Sequence, residues 1–336
     1  MSIMLGTTLY SMTNEWLAGQ YSLGSLIDEV GRRGIGPGVE VIGFQSLRGF
    51  PLNTREDEER TLRDALERNN LIPTSLASNA DIALRADAWM DTDRSVEYMR
   101  PQIELAGRLG FPVVRTQLGL TPEVLEKVEP LAAKANVKLG MEVHAPEGPN
   151  TPKVMATREA YARIDSEFLG FVPDFSSCMR AIPEGMLAKL RRDGLSEQGV
   201  DALKRAWEAP GAPFQRYGQF AAEAGALNEP ELPVGFARLV FTMFGRENLE
   251  DWREILPQVV HIHGKFYDVD ENLESPSIDY EGIMRVFSEL DHPVSMSTEW
   301  EGHAYLDADE QDAFDMVAQH HAMCRKFLGD QHLVSA

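Results

Sequence analysis

Glu142 and His144 stand two positions apart at the end of the apolar run KLGMEVH, residues 138–144. Residues i and i+2 of an extended strand share a face, so this carboxylate and imidazole should project together. Three more apolar runs end in the same way: Phe171-Val172-Pro173-Asp174, Val259-Val260-His261-Ile262-His263 and Val294-Ser295-Met296-Ser297-Thr298-Glu299. Two glutamates, an aspartate and a histidine form an oxygen- and nitrogen-rich set without sulfur, suited to Mn2+, Mg2+, Co2+ or Fe2+, with Zn2+ admissible. A cation with open positions would polarise a substrate carbonyl and its neighbouring hydroxyl and stabilise an enediolate. His144, with an ordinary pKa of about 6.5, is a candidate acid or base.

Further side chains have two readings each. Asp174 follows Pro173 and could instead cap the next helix. His261 shares strand parity with His263, so either could be the ligand and the other its support. Lys265 either serves the site or snorkels at the surface. Arg115 and Gln117 share parity at the end of their strand and either bind substrate or form a rim salt bridge. Glu40, in GVEVIGF, either reaches the pocket or braces an arginine. Trp300, His303 and Tyr305 either line the mouth or pack beneath a loop. His320 and His321 are assigned to a solvated helix face, and Cys178 to a small buried position.

The elements that must position these groups alternate. Strand candidates are IMLGTTL (3–9), GVEVIGF (38–44), LIPTSLAS (71–78), FPVVRTQLG (111–119), VKLGMEVH, the run ending at Asp174, QVVHIHGKF and HPVSMSTEW. Helical patterns lie between them, among them Leu23–Gly31, Glu56–Asn69, Val96–Leu109, Pro122–Lys134 capped by Thr121, Thr157–Phe168, Tyr280–Leu290 capped by Asp279, and a closing helix Asp309–Phe327. Eight strand–helix units in 336 residues point to an α/β fold, a single (β/α)8 TIM barrel over 1–336. An open doubly wound sheet lacks its signals: no G-x-G-x-x-G follows the first strand, and there is no P-loop. In a barrel all the C-terminal strand ends face one pocket, so residues far apart in sequence converge. The rhythm breaks between the sixth and seventh strands, where a helical insertion of about 178–257 includes Glu184–Arg192, Gln198–Trp207 and Tyr217–Ala226.

Composition bounds the partners. The formal charge of −21 argues against nucleic acid and anionic membrane. No apolar run is long enough for a membrane span, and the first ten residues carry no secretory signal. Two cysteines, Cys178 and Cys324, exclude a disulfide scaffold and favour a reducing, cytoplasmic setting.

On MEVH, PDFS, HIHGK and STEWEG, and on strand order over nearly the whole chain, the sequence resembles the xylose isomerase-like barrel superfamily of sugar phosphate isomerases and epimerases, inosose dehydratases and endonuclease IV. The resemblance implies metal ligands Glu142, Asp174, His263 and Glu299, and a divalent metal, Mn2+ first, with Mg2+, Co2+ or Zn2+ as alternatives. It prefers His263 because the family's ligand histidine commonly sits two residues before a lysine or acid, as in His263-Gly264-Lys265. Two departures stand out. Ketose epimerases carry Asp-x-x-His at the sixth strand, where this chain has Asp174-Phe175-Ser176-Ser177; and His144 follows the ligand Glu142. These features, with the long insertion, resemble the catalytic α subunits of bacterial C-glycoside deglycosidases. That resemblance implies C–C cleavage of a 3-keto C-glycoside, a small β subunit covering part of 181–240, and an oligomer. In it His144 and Lys265 are catalytic; read from the residues themselves, Glu142 and Glu299 are further catalytic candidates, and Arg115, Gln117, Glu40, His261, Trp300 and His303 are candidates for substrate contact. A sugar isomerase or epimerase, or an inosose-type dehydratase, is the alternative.

Overall fold

A computed structural model describes residues 3–78, 90–117, 119–307, 310–329 and 333. Eight strands run parallel: β1 (Ile3–Thr8), β2 (Gly38–Ile42), β3 (Ile72–Ala77), β4 (Val113–Thr116), β5 (Lys138–Val143), β6 (Leu169–Pro173), β7 (Ile262–Phe266) and β8 (Val294–Trp300). Their order is β6-β5-β4-β3-β2-β1-β8-β7. The first strand pairs with the last through Ile3–Val294 to Thr7–Thr298. The remaining seam, between β6 and β7, is spanned by the parallel bridges Phe171–Val259 and Asp174–His263. The sheet is thus a nearly closed TIM barrel, as the alternation predicts.

Strand composition follows from burial on both faces. All of β2, β6 and β7 is buried, so these runs are apolar wherever they do not carry site residues. The helices bury one stripe each: Glu56–Arg68 is acidic outward and buries Leu62, Ala65 and Leu66. Their starts are fixed by the expected caps. Thr121 accepts a hydrogen bond from the Val124 amide, and Asp279 accepts one from Gly282; each such cap is typically worth about 1 kcal/mol. Gly140 is required at close approach, because a Cβ there would lie 2.6 Å from Val172 Cγ2 and 2.9 Å from a Val260 methyl.

Boundaries differ by a few residues from the sequence reading. The seventh strand begins at Ile262 rather than Val259, because the preceding residues form a turn around Leu256–Gln258. The helix expected over Thr157–Phe168 spans Pro152–Ile164, with Pro152 at its first turn. The closing helix is Ala313–Leu328; its expected start at Asp309 lies outside the described residues. His320 and His321 are not solvated. Both are buried: His320 stacks on Phe266 at 4.2 Å and bonds the Tyr280 hydroxyl, and His321 bonds the Gly6 carbonyl. This helix packs across the β8–β1 junction with more of its surface covered than its polar residues suggest.

Between β6 and β7 the chain forms the helices Glu184–Arg192, Glu197–Glu208, Pro213–Ala226, Glu231–Phe236 and Arg238–Met243. They enclose Trp207, Phe220 and Phe241. Buried Trp207 donates Nε1–H to the Phe244 carbonyl at 3.0 Å, and Phe244 packs edge-on against Tyr267, 5.0 Å between ring centres. Cys178 is buried, as expected, and its Sγ accepts from Trp252 Nε1.

Candidate active site

The C-terminal ends of β5 to β8 deliver Glu142, Asp174, His263 and Glu299 to one place. One ligand-capable atom from each lies within 4.8 Å of the others, and all four residues are buried. His263 Nδ1 stands 2.7 Å from Glu142 Oε1, 2.9 Å from Glu299 Oε2 and 3.7 Å from Asp174 Oδ2. None of these contacts is aligned as a hydrogen bond: His263 Nδ1, Asp174 Oδ2 and Glu299 Oε2 are buried atoms without hydrogen-bond partners. Asp174 Oδ1 caps the next turn by accepting from the Ser176 amide, while its Oδ2 faces the cluster.

The charge balance around this point is negative. Five buried carboxylates, Glu40, Glu142, Asp174, Glu299 and Glu301, face two permanent cations, Arg115 and Lys265. Lys265 Nζ donates to Glu299 Oε1 at 2.9 Å and Glu301 Oε2 at 3.0 Å and lies 3.5 Å from Asp174. Burial opposes its charge, but Asp174, Glu299 and Glu301 outweigh burial and raise its pKa well above the ordinary lysine value. Burial likewise disfavours ionised Glu142, yet Arg115 and His263 hold its pKa down at about 2. Glu301 goes the other way: burial, reinforced by Glu299, raises its pKa despite Lys265. Orphaned ligand atoms beside an excess of buried negative charge fit a divalent cation. The donor set, three carboxylates and one imidazole without sulfur, suits the same cations that the sequence suggests.

The cluster opens into a cavity of about 330 Å³ lined by Tyr10, Ile42, Phe44, Arg115, Gln117, Glu142, His144, Lys265, Glu299 and Glu301. His144 Nδ1 lies 2.7 Å from the Ala145 carbonyl; a carbonyl only accepts, so the proton sits on Nδ1 and the neutral ring is basic at Nε2. Arg115 is only 7% exposed and lies 3.6 Å from Glu142 Oε2, with Nε and one terminal nitrogen unpartnered. Of the sequence candidates, Glu142, His144, Glu299, Lys265, Arg115 and Gln117 line the cavity, and Asp174 and His263 lie in the cluster beneath it.

Four candidates lie elsewhere. Glu40 and His261 are fully buried within the barrel, off the cavity, and Glu40 braces histidines rather than an arginine. Trp300 is buried with its Nε1 donated to the Tyr267 carbonyl; it alternates with Glu299 and so faces the helices. His303 bonds the Trp300 carbonyl and packs edge-on against Tyr10, 4.8 Å away, behind the cavity wall. Burial lowers its pKa to about 4.

The sequence reading missed Tyr10, Ile42, Phe44 and Glu301. The i+2 rule that pairs Glu142 with His144 would have found Glu301 after Glu299 and Ile42 after Glu40; Phe44 lies on the helical turn Gly43–Ser46, where that rule does not hold. Tyr10 carried no comparable signal. Its hydroxyl lies 3.4 Å from Glu301 Oε1, and the Tyr267 hydroxyl lies 3.2 Å from Glu301 Oε2. Tyr267 in turn packs on Phe244, so the insertion buttresses one wall of the cavity.

A barrel with a carboxylate–imidazole cluster at the C-terminal strand ends defines a class. Residues 35–320 match the family described as xylose isomerase-like TIM barrel, and the chain belongs to that family. It is 39% identical to a C-glycoside deglycosidase alpha subunit of Arthrobacter globiformis, over 96% of this chain and 92% of that protein. It is 34% identical to a 3'-dehydrocarminate deglycosidase alpha subunit of a Microbacterium species, over 97% of this chain and 95% of that one. Among solved structures, a D-allulose 3-epimerase from Methylomonas has the same fold at 11% identity, with a TM-score of 0.56 over 97% of this chain and 98% of that one. The chain is therefore an enzyme. Among the described residues no helix is long and apolar enough to cross a membrane.

Proposed function

We propose that this enzyme is the catalytic α subunit of a C-glycoside deglycosidase, cleaving the C–C bond between an aromatic aglycone and a sugar already oxidised to its 3-keto form. The observation that carries the reading is the similarity, over more than nine-tenths of each chain, to alpha subunits named for a C-glycoside deglycosidase and a 3'-dehydrocarminate deglycosidase. Glu142, Asp174, His263 and Glu299 would hold a divalent cation, Mn2+ first and Mg2+, Co2+ or Zn2+ next. When bound, the cation supplies Lewis-acid polarisation to the ketone and its neighbouring hydroxyl.

The chain's own residues account for the proton movements. His144 Nε2 takes the proton from sugar C2, which is acidified by the adjacent C3 carbonyl. The released electron pair forms the C1–C2 double bond as the bond from C1 to the aglycone carbon breaks. The imidazolium then delivers its proton to that carbon, leaving an enone sugar and the free aglycone. Lys265, charged and fixed between Glu299 and Glu301, steadies negative charge developing on the C3 oxygen. Arg115 and Gln117, which line the cavity, bind sugar oxygens. Ile42 and Phe44 provide an apolar wall for the aromatic aglycone.

A small β subunit is part of the same proposal, because these relatives are named alpha subunits. Phe214, Leu227 and Leu232, in the stretch 181–240, are large exposed apolar side chains suited to such a contact. The test follows a 3-keto C-glucoside, a simple ketose and an inosose by NMR in D2O with Mn2+, with and without a candidate β subunit. Free aglycone from the 3-keto compound is expected. Deuterium exchange or isomer formation on the ketose without aglycone release would transfer the enzyme to the isomerase class.

A further inference from the structure

Two histidines of the HIH sequence point into the barrel one layer apart, and one carboxylate oxygen joins them. Glu40 Oε2 lies 3.0 Å from His263 Nε2 and 3.2 Å from His261 Nε2. His261 is locked from two further sides, with Nδ1 at 2.7 Å from the Ser295 hydroxyl and Nε2 at 3.0 Å from that of Ser297. All of these residues except half-buried Ser295 are fully buried. Glu40 comes from β2, and its place in the sheet coincides with a register shift against β3 between Val39 and Glu40, the kind of irregularity that re-aims a side chain.

Glu40, His261 and His263 also have the composition of a cation site. In this group the imidazoles are engaged within the protein, with Glu40 Oε2 approached by both and His261 held by two serines, while Glu40 Oε1 is buried without a hydrogen-bond partner. The carboxylate accepts, so His263 Nε2 must donate to it. His263 thereby keeps a proton on Nε2, so a lone pair offered to a cation must come from Nδ1, the atom that faces Glu142, Asp174 and Glu299.

We propose that Glu40 and His261 are positioning residues for the cation site: Glu40 sets the tautomer and ring plane of His263 through Nε2, and His261, anchored by Ser295 and Ser297, prevents Glu40 from turning away. The proposal rests on the reading that the upper cluster holds a divalent cation, and it assigns Nδ1 as the ligand atom of His263. It is independent of which sugar the enzyme takes.

The test is Mn2+ and Zn2+ affinity of the full chain by calorimetric titration at fixed pH, with no substrate present. Glu40→Leu removes the acceptor and is expected to weaken binding by about 10- to 100-fold, the usual cost of losing such a support. Glu40→Gln keeps an acceptor oxygen without the charge and should recover most of that loss. His261→Gln should weaken binding by less than Glu40→Leu. Wild-type affinity in Glu40→Leu overturns the proposal, as does equal damage from leucine and glutamine. A second measurement needs no variant: in nitrogen-15 histidine spectra of the Zn2+-loaded wild type, His263 should carry its proton on Nε2 with Nδ1 shifted by the metal. The reverse assignment overturns it even where the leucine variant does not fold. A wild-type chain that binds no divalent cation overturns this proposal and the cation site together. Normal cation binding without aglycone release overturns only the proposed reaction.

Discussion

At the N-terminal end of the barrel, Gly140 is enclosed by Val172 and Val260, and Gly170 by Val260 and the Gln258 carbonyl. Two residues beyond Gly140 stands Glu142, and four beyond Gly170 stands Asp174, both buried among like charges, with Asp174 Oδ2 unpartnered. The lower layer is closed by shape, and substitutions there should act through packing. The upper layer is closed by charge and stays incomplete without something positive or polar in it. Scaffold and chemistry are thus separated along the strand axis by only one or two of the two-residue repeats.

The sharpest challenge to this separation is Glu142→Gln. It should lower aglycone release by at least about a thousandfold, ~4 kcal/mol of barrier, with the melting temperature little changed; joint loss of fold and activity would show that the two layers are not separable. Next is Gly170→Ala, whose Cβ would overlap the Gln258 carbonyl and the Val260 side chain. It should destabilise the fold by roughly 1–3 kcal/mol in urea unfolding, with kcat per folded molecule retained. A fall in kcat at unchanged stability would reverse the assignment of layers. Arg115→Lys keeps the charge but not the planar fork, so KM should rise about tenfold with kcat nearly constant. A fall in kcat alone would move Arg115 from binding sugar oxygens to the chemical step.

The smallest effect is expected on the outer surface. Glu29 accepts from Arg32 and Arg33, and Arg33 reaches Asp312 and Asp315, which tie the first helix of the ring to the last. These contacts hold the Glu29 pKa at about 2, below its ordinary value. A depressed folded-state pKa stabilises above the unfolded pKa, and that stability is lost as pH falls toward 2. Solvent screening limits it to about 1 kcal/mol. Wild type should exceed Glu29→Gln by no more than that at pH 7, and the gap should vanish at the acid end. A gap that persists there would mean that Glu29 acts by packing.

Strand order and the four strand ends were legible because period-2 alternation and terminal polar residues survive in sequence. Parity, applied consistently, also separates residues that were grouped together: Glu301 shares the inward face with Glu299, whereas Trp300 alternates outward and packs against Tyr267. Parity could not separate His261 from His263, because both point inward and only depth along the barrel distinguishes them. Nor could it show that Glu40 reaches both histidines, since β2 and β7 are not neighbours in the sheet. The buried closing-helix histidines were misread for a related reason: an imidazole that satisfies its nitrogens on Tyr280 or Gly6 looks polar in sequence and behaves as core.

The pairing of β1 with β8 also sets an order of events during synthesis. Residues 3–7 leave the ribosome long before their partners on one side, residues 294–298. Such a distant pairing must await nearly the whole chain. Glu299 arrives with that final strand, so the nascent protein exposes an open, unpaired sheet edge until the last ligand of the cluster is made. Acquisition of a tightly held cation would then have to wait for β8 to leave the ribosome.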